Sequence, residues 1–195
     1  MTATPGLSRT VGLVALFNGI YFFVEVAVAL SIGSVSLFAD SIDFLEDTSV
    51  NLLILLALRW GAKARARVGM ALAAILLAPA LAGIVTAILK LQSMVPPDPV
   101  PLSITGFGAM LVNIVCALML ARYRDHAGGL TKAAFLSARN DVLANLAIIA
   151  AGLVTAWLWR SPWPDLIVGV GIAALNADAA REVWQAAKGE HDAAA

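Results

Sequence analysis

The chain has 195 residues, 61% hydrophobic and 13% charged, with 13 basic and 13 acidic side chains and a net charge of zero. Soluble domains average about 45–50% apolar and about 25% charged, so this balance, with a mean hydropathy of +0.87, indicates an integral membrane protein with no length left for a separate soluble domain. The neutral charge gives nucleic acid no footing, and the one cysteine, Cys116, excludes internal disulfides and thiolate clusters.

A bilayer span needs about 20 mostly apolar residues. Six segments qualify, near 11–32, 36–58, 66–90, 102–122, 133–158 and 164–186. The expected fold is all-α, a polytopic membrane protein with six transmembrane helices over residues 11–187. Residues 1–10 form a cytoplasmic N-terminal tail and residues 188–195 a short, frayed C-terminal one. The first segment is too long for a signal peptide and carries Asn18 and Glu25, so it reads as a retained helix. The second holds "FADSIDFLEDTSVNLL", with Asp40, Asp43, Glu46 and Asp47 inside eight residues. The proline-rich "MVPPDPVP" between spans three and four reads as a stiff extended linker. The fifth contains "SARNDVLANLAI", and the sixth starts just after "SPWPD", where Pro164 and Asp165 suit a first turn.

Basic residues orient the chain. Arg9, Arg59, Lys63, Arg65, Arg67, Arg122, Arg124, Lys132, Arg181 and Lys188 fall on one side of the six spans, and only Lys90 and Arg160 on the other. That asymmetry puts both termini in the cytoplasm. Trp157, Trp159 and Trp163 mark the outer interface, Trp60 and Trp184 the inner one.

A charge at the bilayer centre costs about 2.5–3.5 kcal/mol on insertion scales. Four acids in one span therefore demand compensation by cations, protons or a wet cavity. Asp40, Asp43 and Asp47 stand at i, i+3 and i+7 and share one helix face, with Glu46 displaced toward a flank. One helix cannot complete a coordination shell. Aligning Asp47 with Asp141 also aligns Asn51 with Asn145, Glu46 with Asn140 and Asp43 with Ser137, so spans two and five echo one another. Asn51, Asn113, Asn145 and Asn176 also suit hydrogen-bonding between helices, and Asp165 suits a plain interfacial helix start. Arg139 reads as the one deep base, about 200° around its helix from Asp141, free to snorkel or to pair with Glu46 or Asp178.

These residues resemble the cation diffusion facilitators, six-helix transporters of divalent metals. "GSVSLFADSIDFLED" is similar to that family's second-span signature, and "AAFLSARNDVLANLAI" to its fifth. The resemblance implies metal ligands at Asp43, Asp47 and Asp141. Ser137 stands where the family carries His or Asp, with Asn140 or water as a substitute. Asp40, Glu46, Asn51, Asn145 and Glu25 are the expected supporting groups and proton path. The family's cytoplasmic metal-binding domain and His-rich loop have no counterpart here; the histidines are His126 and His191. The expectation is therefore a transporter and not an enzyme, without a resident cofactor. It would exchange cytoplasmic Mn²⁺, Fe²⁺, Zn²⁺ or Co²⁺ for protons as a homodimer in a bacterial inner membrane, with lipid, metal ion and protons as partners and no nucleic acid. An all-oxygen site favours the harder of those ions. The competing expectation is a transport-inactive paralogue serving as dimer partner or metal-handling accessory. A lipid phosphotransferase would need Gly and Arg at fixed offsets beside the acids, which span two lacks.

Overall fold

A computed structural model describes residues 5–57, 84–123 and 129–175. Among these, six helices and no strand occur. They are α1 (Pro5–Ile32), α2 (Val35–Ala57), α3 (Ile84–Ser93), α4 (Pro99–Ala121), α5 (Gly129–Trp157) and α6 (Trp163–Leu175). Most of span three (66–83), the basic loop at 59–67 with Trp60, His126, and everything beyond Leu175, including Asn176, Asp178, Trp184 and His191, lie outside the described residues.

Three stretches, Gly6–Ile32, Pro99–Ala121 and Ala134–Trp157, are long and apolar enough to cross a membrane. The 23 residues of α2 rise about 35 Å at 1.5 Å per residue, also sufficient, but carry the four acids. Burial is inverted relative to a soluble domain. Phe23, Leu30, Leu118, Leu143 and Ile167 face outward, while Asn18, Glu25, Asp40, Asp47, Asn51, Asn113 and Asn145 are buried. Such a surface suits lipid, and the inward polar groups follow the rule that intramembrane polar side chains turn to the bundle interior.

Local chemistry sets the helix ends. Gly33 has φ 62°, and Ser34 N–H donates to Ala29 C=O at 3.0 Å. That is the C-terminal motif in which a left-handed glycine closes a helix, and it turns α1 back into α2 within two residues. Asp98 accepts from Val100 N–H at 3.1 Å with Pro99 at the first helical position. Residues 99–101 of the proline-rich stretch thus open α4, and only 94–98 form the linker. Proline is tolerated there because a first-turn N–H would lack a helical partner anyway.

Helices α1 and α2 pack as one pair and α4 and α5 as another, with narrower α1–α4 and α2–α5 seams between them. Two apolar clusters fill the ends of the bundle. One gathers Leu7, Val11, Val14, Ile54, Cys116, Leu120 and Ala138; the other gathers Ala29, Leu37, Phe38, Ile42, Leu102, Ile148 and Ile172. The polar layer lies between them.

Asp165 does more than start its own helix. It is fully buried and reaches across to the first turn of α2. Its Oδ1 accepts from Ser34 Oγ (2.7 Å), Ser36 Oγ (2.6 Å) and Ser36 N–H (3.1 Å), and its Oδ2 accepts from Val35 N–H (2.8 Å). A carboxylate at a helix N-terminus satisfies otherwise unpaired donors and complements the helix dipole. One turn on, Gly169 lets α6 lie directly on that backbone, since a Cβ there would fall 2.8 Å from Ser36 N and Val35 C. Asp165→Asn is therefore expected to lower stability by about 1–3 kcal/mol, because an amide turns a donor toward buried donors. Thermal unfolding in detergent measures it, and an unchanged midpoint would remove this cap as a stabilising element.

Candidate metal centre

Helices α2 and α5 run antiparallel, and side-chain bonds set their register. Ser137 Oγ donates to Asp47 Oδ1 at 3.0 Å, and two turns along the seam Asn145 Nδ2 donates to Asp40 Oδ2. Between these bonds Asp43 faces Asp141. The i, i+3, i+7 spacing on α2 thus produces one acidic stripe, each member meeting a different group of α5.

Asp43 and Asp141 open onto a cavity of about 230 Å³ lined also by Glu46, Ser137 and Asn140, with Ile172 and Leu175 of α6 as its apolar wall. At about 30 Å³ of liquid volume per water, it has room for a partly hydrated ion. Five of the residues expected at the site therefore share one cavity. Asp47 lies just off it, buried and held by Ser137. Asp40 is sealed behind Asn145, and Glu25 of α1 lies against Asp40. Asn51 does not meet Asn145. Its Nδ2 donates to Asp47 C=O at 2.8 Å, because repeats on antiparallel helices meet in opposite order.

The interior is short of donors. Among the described residues, seven buried side-chain atoms lack a hydrogen-bond partner. Six are carbonyl or carboxylate oxygens: Asn18 Oδ1, both Glu25 oxygens, Asp40 Oδ1, Asn51 Oδ1 and Asn113 Oδ1; the seventh is Thr155 Oγ1. Unmatched buried acceptors are costly, and protons or cations are what this surplus lacks. The donor set is oxygen throughout, which fits hard to borderline divalent ions. Among the described residues no three His, Cys, Asp or Glu side chains already converge on one point. An ion at the seam would take Asp43 and Asp141, then Ser137, Asn140 or water. It would engage Asp47 once Ser137 releases it, the serine hydroxyl having lone pairs of its own to offer.

The two bases change places relative to the sequence reading. Arg139 is exposed and donates to Asn140 Oδ1 at 3.3 Å, at the cavity rim. Lys90 is the buried one, 6% exposed, and its Nζ donates to Gly33 C=O at 2.6 Å. Angle counting put Arg139 off the acidic face but could not show Lys90 folding onto the α1–α2 turn. Asn113, whose Nδ2 donates to Asn145 Oδ1 at 3.1 Å, extends the Asn145–Asp40 bond across to α4.

The profile of one protein family, the cation efflux transmembrane domain, matches residues 11–187. That is most of the chain, and the chain belongs to this family. Comparison with curated proteins returned no match.

The geometry orders the effects of substitution. Asp141→Asn should weaken Mn²⁺ binding about tenfold or more, about 1.4 kcal/mol, and Ser137→Ala distinctly less, because the serine is a neutral donor. Isothermal titration of purified protein measures both, and equal losses from Asp141→Asn and Asn51→Leu would place the ion elsewhere.

Proposed function

We propose that this cation efflux protein exports divalent metal from the cytoplasm in exchange for protons, with Mn²⁺, Fe²⁺, Zn²⁺ or Co²⁺ as its cargo. One observation carries the reading. Asp43 and Asp141 confront each other across the α2–α5 seam, on a cavity in a bundle whose ends are filled by apolar clusters. Two like-charged carboxyls are not left facing in a membrane interior for packing alone.

The chemistry follows from shared oxygens. Metal binds ionised carboxylates and protons bind the same groups, so the two compete for one site. Metal entering from the cytoplasm displaces protons at Asp43, Asp47 and Asp141, and protons arriving from outside displace metal. The cavity supports loading from the cytoplasmic end. Its lining includes Glu46, Ser137 and Leu175, on the side where basic loops flank the spans, whereas the opposite end is closed by Asp165 on α2. Both termini are then cytoplasmic, the membrane is a bacterial inner membrane, and the homodimer is part of the same reading through the family likeness.

A second reading has an observation of its own. Ser137 is engaged with Asp47 where the family's fifth-span ligand is expected, which favours a transport-inactive paralogue that handles metal or pairs with an active partner. Everted vesicles separate the two. Export predicts metal uptake that stops when the pH gradient is collapsed and falls at least tenfold in Asp43→Ala and Asp47→Ala. Uptake indifferent to the gradient would reject proton coupling, and no uptake beside intact binding would favour the paralogue.

A further inference from the structure

The acidic stripe continues past the cavity. Asp40 lies three residues before Asp43, about 4.5 Å along the axis at 1.5 Å per residue, and meets Glu25 from α1. Both residues are fully buried. Asn145 occupies one Asp40 oxygen, while the other and both Glu25 oxygens have no donor among the described residues, the two carboxyls lying within hydrogen-bonding reach of each other. Glu25 stands on the α1–α2 side and Asn145 on α5, so Asp40 is gripped from both helix pairs. The Tyr21 hydroxyl, near both carboxyls, donates instead to Thr105 C=O at 2.7 Å.

We propose that Glu25 and Asp40 form a second divalent-cation seat, outward of the Asp43–Asp141 seam. Charge supports a second ion. Glu25, Asp40, Asp43, Glu46, Asp47 and Asp141 carry a formal charge of minus six when ionised, and one divalent ion leaves minus four of it in the bundle. A second leaves minus two. Donor chemistry agrees, since Glu25 and Asp40 supply three oxygens that meet no donor among the described residues, and no nitrogen or sulfur, the set that hard divalent ions accept. The seat lies beyond the cavity and against the apolar cluster of Ala29, Ala39 and Ile42. An ion there has left the cytoplasmic opening and has only the outer end of the bundle ahead. Two seats about one turn apart also let an arriving ion weaken the hold on the one before it, because like charges repel strongly where little water screens them.

The inference rests on the stripe being the metal path, and Mn²⁺ alone tests it on the purified full chain. Equilibrium dialysis should find two Mn²⁺ per wild-type chain and one in Glu25→Gln. Asp43→Asn/Asp141→Asn should also retain one, lost when Glu25→Gln is added. Asp40→Asn serves as the second single variant, and a monodisperse elution profile qualifies each protein as folded. One equivalent in wild type that survives Glu25→Gln and Asp40→Asn overturns the second seat and leaves the first standing. No Mn²⁺ in wild type removes both, and two equivalents that survive both single variants place the second ion elsewhere.

Discussion

Asp43 against Asp141, with neither lysine nor arginine between them among the described residues, is the constraint on which the rest of the bundle depends. Two carboxyls brought together in a medium of low polarisability repel when ionised, and each costs several kcal/mol to desolvate. Neighbouring groups relieve this only in part. Asn145 and Asn113 hand a hydrogen bond from α4 through α5 to Asp40, and Ser137 serves Asp47. Among the described residues no such bond reaches Asp43 or Asp141, and these two open on the cavity with Glu46. Asp40 and Asp47 are each steadied by one amide or hydroxyl, and the two acids on the cavity stand where an ion would be reached first.

The apolar clusters give this arrangement its range of action. Leu7, Val11 and Val14 with Leu120 fill one end, and Leu37, Phe38 and Leu102 with Ile148 fill the other. A continuous polar column through both would leak, and a bundle without one would exclude the ion. A short polar layer between two dry ends is what exchange needs, provided that one end loosens at a time. The lipid-facing surface contributes nothing to the chemistry, which is why its leucines and phenylalanines can be exposed so freely.

Much of this was legible in the sequence because periodicity and charge cost are strong signals. Six apolar runs mark six helices, and the i, i+3, i+7 acids mark an inward face whatever they bind. Ser137, Asn140 and Asp141 come from the matching polar run on α5, and the structure brings them to Asp43 and Glu46 at one cavity. Register was less accessible. The echo between the helices marked which residues carry the polar pattern but not which would meet, and antiparallel packing gives Asn145 to Asp40 and leaves Asn51 on the Asp47 carbonyl. Asp165 was hidden for a similar reason. An acid after proline at a helix start looks like a local cap, and only tertiary placement reveals that it caps α2 as well. Lys90 shows the same limit, since its long side chain can reach the Gly33 carbonyl or solvent equally well by sequence.

The division of the bundle into pairs bears on where the proposed metal centre lies. Extensive contacts bind α1 to α2 and α4 to α5, and the α2–α5 seam is narrower. Asp165 and Gly169 fasten α6 to the start of α2, so α6 belongs with the first pair at that end. Asp43, Glu46 and Asp47 therefore ride on one unit, and Ser137, Asn140 and Asp141 on the other. Packed interfaces shift between discrete arrangements rather than deforming smoothly. Ligands split across such an interface are brought together or drawn apart by any sliding of the two units, whereas ligands within one pair would keep their spacing. A metal site on the seam would couple ion affinity to helix position without any further device, the free energy for the shift coming from whichever cation the carboxylates held.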